Sequence, residues 1–191
     1  MKSLLLYLTI ITLFAVSSYG QMQYWEDLSC AQKSEILENC KSDHVKMFYD
    51  GRFIPTDDDK TYGLLNELVS SSDTILPLSF FLFNRICTKS DGALAEMVEE
   101  FCAEFLAKHP KYILTYFSKE RILKIKKPII ETYAMFVGYE LYLKKKGISD
   151  LKYSYQSYKE LLFIAARGNK ENEETFKVFW QLVDETIRKM D

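Results

Sequence analysis

The chain is 191 residues long, sets 25 Lys and Arg against 27 Asp and Glu for a formal net charge of −2, and is 48% hydrophobic and 15% aromatic. That balance excludes a disordered, charge-dominated chain, and it lacks the basic excess with which a nucleic-acid binder neutralises phosphates. It leaves enough apolar material for one folded core.

The first twenty residues read as an address. Lys2 supplies a positive start, Leu4 to Val16 an apolar run, and Ser18 and Gly20 are small residues at the positions a signal peptidase reads, so cleavage is expected before Gln21. The run is shorter than the roughly twenty residues that cross a bilayer, and no second one follows. The expected organisation is a signal peptide over 1–20 and a single all-helical domain over 21–191, exported to the periplasm or outside the cell and not membrane-spanning once cleaved.

From Tyr24, the pattern Trp25, Leu28, Ile36, Leu37, Cys40, Val45 and Phe48 fits two short helices or one kinked one, stopped by Asp50 and Gly51. Thr56 with Asp59 three residues on resembles a capping box ahead of a helix through Leu64, Leu65, Leu68 and Val69. The organising stretch is a helical hairpin from Asp73 to His109. Its first arm, Ile75 to Cys87, is apolar almost all the way round, so other elements must surround it. Its second arm repeats Leu94, Met97, Val98, Phe101, Cys102, Phe105 and Leu106 on one helix face. Asp73 and Asp91 are the expected caps, and the short turn from Lys89 to Gly92 sets the arms antiparallel.

After Pro110 come a short aromatic helix over Lys111 to Phe117 and another short segment through Ile122, Leu123 and Ile125. A long helix opened by Pro128 ends at Lys144, Lys145, Lys146 and Gly147, where cations and a glycine suit a helix stop. The last two helices carry Tyr155 to Ala165 and Phe176 to Ile187. No stretch asks for a strand. The fold class is all-α, with seven to nine mostly antiparallel helices, either an irregular bundle or a short armadillo/HEAT-like stack of helical hairpins. The likeness to such a stack is one of helix rhythm only, because no fixed repeat period is present.

Catalytic patterns are thin. His44 and His109 lie on separate helical regions, and no spacing of Cys, His or carboxylates matches a zinc or calcium site, so neither metal nor cofactor is expected. Cys30, Cys40, Cys87 and Cys102 are an even number in an exported chain, which permits disulfides. Cys87 and Cys102 stand about 15 Å apart along the hairpin axis at 1.5 Å per residue, too far to bridge, and Cys30 and Cys40 are as far apart if they share a helix. The lysine clusters Lys124, Lys126, Lys127 and Lys144, Lys145, Lys146 read as helix-end chemistry rather than as phosphate or lipid contacts.

Two charged residues stand in apolar surroundings: Arg85 in the all-round apolar arm, and Glu140 beside the stripe of Tyr133, Phe136, Val137 and Leu141. Each needs a partner or an opening to water, which makes both candidates for lining a groove. Tyr153, Tyr155 and Tyr158 complete the candidate surface, since tyrosine buries a large ring while keeping a polar tip. The reading that follows is binding of another protein, as an adaptor, scaffold or inhibitor. Its profile is similar to that of periplasmic immunity proteins, which are small, helical, signal-bearing and without catalytic groups. The alternative is a carrier for an apolar small molecule inside the bundle; a hydrolase, with Glu140 as its carboxylate, ranks third.

Overall fold

Among residues 22–191, which the computed structural model describes, the apolar stripes fold as nine α-helices and no strand. The signal segment expected over 1–20 lies outside the described residues. A 3-10 turn, Trp25–Asp27, precedes α1 (Cys30–Asn39), α2 (Asp43–Tyr49), α3 (Asp59–Val69), α4 (Leu76–Cys87), α5 (Gly92–Lys108), α6 (Pro110–Ile122), α7 (Ile129–Lys145), α8 (Tyr155–Ala166) and α9 (Lys170–Met190).

Local chemistry accounts for most boundaries. Ser29 forms a capping box with Gln32, Ser42 accepts the Val45 N–H at 3.0 Å, and Ser154 and Asn169 cap α8 and α9. Three expected boundaries need correction. At α3 the cap is Asp58, in extended backbone just before the helix, which accepts the Thr61 N–H at 2.8 Å. Thr56 instead donates its own N–H to the Thr61 hydroxyl at 2.9 Å, so the Thr56/Asp59 box does not form. At α4 a turn closed by the Ile75 N–H on the Ser72 carbonyl puts Ile75, not Asp73, at the cap position. The two short helices expected between Lys111 and Ile125 are one: α6 runs through Ser118 to Glu120, none of which breaks a helix.

Other elements surround α4, as its apolar faces require. Its buried residues include Leu76, Leu78, Phe80, Leu82, Phe83, Ile86 and Cys87, and it touches the 3-10 turn, α2, α3, α5 and α7. Phe80 and Phe83 meet Phe105, Tyr112 and Tyr133 with ring centroids 5.0 to 6.4 Å apart, mostly edge to face. Rings therefore fill the middle of the bundle.

The tight hairpin of α4 and α5 opens out. α5 packs on α3, with Tyr62 edge-on to Phe101 at 5.0 Å. The arms meet where Phe105 reaches Phe83 at 5.0 Å and Cys102 lies beside Cys87, and nearer the turn Leu94 shares a groove with Arg85 and Ile86. Further along the chain α5 lies against α7, and α7 against α9 in the most extensive seam of the molecule. The pairing across that seam advances in step: Gly138 meets Thr186, Leu141 shares a groove wall with Ile187, and Lys145 pairs with Asp191 at 3.2 Å, so α7 and α9 run parallel. Across α5 and α7 it runs backwards, with Cys102 beside Tyr133 and Glu99 beside Glu140. This alternation differs from a regular stack of hairpins, in which every second helix is parallel.

Candidate functional site

Arg85 stands in the last turn of α4, on the side facing α2. Because α4 is apolar all round, the stem packs and the guanidinium spreads over two ring faces, 5.3 Å from the Phe48 centroid and 5.9 Å from that of Phe81. Among the described residues no carboxylate lies within ion-pair distance of it. Beside it opens a groove of about 250 Å³, lined chiefly by Phe48, Phe53, Ile54, Arg85, Lys89 and Leu94. Ile54 is 79% exposed at its rim, and His44 stacks on Phe53 at 5.9 Å while its Nδ1 lies 3.5 Å from Glu67. Two cations over an apolar floor can take a carboxylate carried on an apolar group.

Glu140 lies elsewhere. It is 5% exposed on α7, where the Ser149 hydroxyl donates to its carboxylate and in turn accepts the Leu151 N–H at 3.0 Å. Glu140 thus braces the loop between α7 and α8, and Ser149 is the partner its burial required. Glu99 approaches from α5. Burial, then the charges of Glu140 and Glu96, hold its carboxyl up at about 7. Burial also raises Glu100, with Glu104, Glu140 and Asp150 adding to the effect.

The three tyrosines have three separate surroundings. Tyr158 is wholly buried and donates to the Ala103 carbonyl at 2.7 Å, and burial pushes its phenol well above the ordinary range. Tyr153 sits edge-on to Tyr158 at 5.7 Å and lines a recess of about 320 Å³ with Glu104 and Lys108. Tyr155 donates to Asp184 Oδ1 at 2.6 Å and accepts from Trp180 Nε1 at 2.8 Å. It forms one wall of the open groove along the α7–α9 seam, about 710 Å³, with Tyr142, Lys145, Asp184, Ile187 and Arg188 among its lining. Arg85, Glu140 and the tyrosines are therefore not one site: Arg85, Tyr153 and Tyr155 each line a separate recess, while Glu140 and Tyr158 are buried.

The cysteines correct a geometric expectation. Cys30 is exposed and Cys40 buried at opposite ends of α1, apart as expected. Cys87 and Cys102, expected too far apart to meet, lie beside each other, and burial, then Cys87, raises the Cys102 thiol well above its ordinary value. The axial distance along a tight hairpin does not apply, because α5 is offset along α4, with Phe105 beside Phe83 as well as Cys102 beside Cys87. All four are free thiols. Among the described residues no group of three or more His, Cys, Asp or Glu is arranged to hold a metal ion.

Reading the sequence missed Phe53, Ile54, Pro55 and Lys89 as neighbours of Arg85. The available signal was three successive apolar residues in a connector where no helix stripe calls for them. No protein-family model, curated protein or solved structure matches this chain.

Proposed function

We propose that this protein is exported and acts by binding another protein, as an adaptor, scaffold or inhibitor, and that the groove beside Arg85 receives a carboxylate borne on an apolar segment of that partner. The observation that carries the reading is Arg85 itself. Its guanidinium lies over the Phe48 and Phe81 rings, with no carboxylate within ion-pair distance among the described residues and with an apolar floor beside it. A half-buried cation without an anionic partner costs free energy that a bound carboxylate offsets. The aromatic filling around α4 favours a surface site over an interior one. Export follows from the reading of residues 1–20, and N-terminal sequencing of the exported chain should begin at Gln21.

The test is a pull-down from lysate and culture fluid of the protein's own source, with the unaltered chain and the Arg85→Met variant side by side. One stoichiometric protein should be retained, and Arg85→Met should weaken its binding by about ten- to a hundredfold, the worth of a charge-assisted hydrogen bond. Unchanged binding together with an equal or higher Tm would remove Arg85 from the site.

A further inference from the structure

We infer that the loop joining α6 to α7 is a docking surface for an anionic lipid bilayer. Residues 121–127 are exposed without interruption, and Ile122, Leu123 and Ile125 stand 66%, 60% and 47% in solvent. Lys124, Lys126 and Lys127 alternate with them, and among the described residues none of the three forms an ion pair. Arg121 is turned back toward α9, where it donates to the Thr175 hydroxyl at 2.9 Å.

This exposure is built. The Ile125 N–H reaches the Glu120 carbonyl at 3.2 Å and the Lys124 N–H reaches that of Arg121 at 3.2 Å, the paired bonds of a Schellman stop. Lys124 occupies its left-handed position at φ +53°, where glycine is the usual residue. Across the loop the Glu120 carboxylate accepts the Ile129 N–H at 3.0 Å, tying the start of α7 to the end of α6. The turn therefore holds three aliphatic side chains outward between cations, and among the described residues no other element covers them. A convex apolar tip finds no counterpart in a rigid surface unless a pocket is cut for it, whereas the headgroup layer of a bilayer closes around single protruding side chains. Aliphatic groups entering that layer with lysines at the phosphates is the arrangement by which interfacial segments bind anionic membranes. No helix among the described residues is long and apolar enough to cross a membrane, so the contact is one of surface docking.

The experiment is sedimentation of the full chain with vesicles of phosphatidylcholine containing about 30% phosphatidylglycerol, and with vesicles of phosphatidylcholine alone. Residues 1–20 are common to every variant, so differences between variants report on the loop. The unaltered chain should prefer the anionic vesicles and lose that preference as NaCl rises from about 0.05 M to about 0.5 M. The triple variant Ile122→Ser, Leu123→Ser, Ile125→Ser and the triple variant Lys124→Gln, Lys126→Gln, Lys127→Gln should each bind at least about tenfold more weakly, with unchanged circular dichroism. A Leu123→Trp variant should show a blue-shifted emission on anionic vesicles. Equal binding to both vesicle types, or either triple variant binding as the unaltered chain does, overturns the proposal. Retention of the chain on immobilised polyglutamate without any vesicle binding overturns it too, and assigns the loop to an acidic polypeptide.

Discussion

The seam between α7 and α9 and the loop that leads into α7 are adjacent and use similar residues, aliphatic groups edged by lysines. In the seam the backbones approach until a Cβ on Gly138 would lie 2.8 Å from the Thr186 side chain. Val137, Leu141 and Val183 are buried there, and Lys145 finds Asp191. In the loop Ile122, Leu123 and Ile125 face water and, among the described residues, the lysines pair with no carboxylate. Composition does not separate the two regions; the presence of an opposing helix does. Apolar area contributes to stability only where something removes it from water, so the seam is the place to look for folding energy and the loop the place to look for an external contact.

The sharpest way to break this contrast is at Gly138. Gly138→Ala should cost about 1–3 kcal/mol, because the new methyl must push α9 away. For a chain of this size that lowers Tm by several degrees. Gly63, also inside a helix, has nothing within 4 Å of an added Cβ, so Gly63→Ala should instead stabilise by about 1 kcal/mol through helix propensity. If both variants moved Tm in the same direction, the close approach at Gly138 would not be the cause. In the loop, Lys124→Gly should relieve the left-handed backbone and raise stability by up to about 1 kcal/mol in urea unfolding. A loss there would mean that the lysine makes contacts that outweigh the strain.

The smallest effect lies on the other flank of α7. Glu99 has an ordinary carboxyl value of 4.5 when unfolded and about 7 in the folded chain, raised first by burial. The folded state therefore holds a proton that the unfolded state has released between pH 4.5 and 7. The resulting stability is fully present below 4.5 and is lost as pH rises through 7. Glu99→Gln should leave Tm nearly unchanged near pH 4.5 and raise it above pH 7, which thermal melts across that range would show. A Tm difference independent of pH would mean that Glu99 acts through packing alone.

How the helices are made was legible in the amino-acid sequence by itself. The stripe in α5, the all-round apolar character of α4 and the stop at Lys146 and Gly147 are each set within one or two turns of chain, by periodicity, side-chain caps and backbone preference. The local rules erred at the start of α3, where Asp57, Asp58 and Asp59 compete for the cap, at the start of α4, where a turn displaces Asp73, and within α6, which runs on unbroken. Arg85 was legible as a charge needing an explanation, but its groove was not, since Phe48, Ile54 and Leu94 come to it from three separate segments. The contact of Cys87 with Cys102, the division of Tyr153, Tyr155 and Tyr158 among three surroundings, the Ser149 partner of Glu140 and the need for glycine at 138 were decided by tertiary structure alone. Each depends on the offset and direction with which two helices cross. A repeating apolar stripe specifies which face is buried and leaves open how far one helix slides along another.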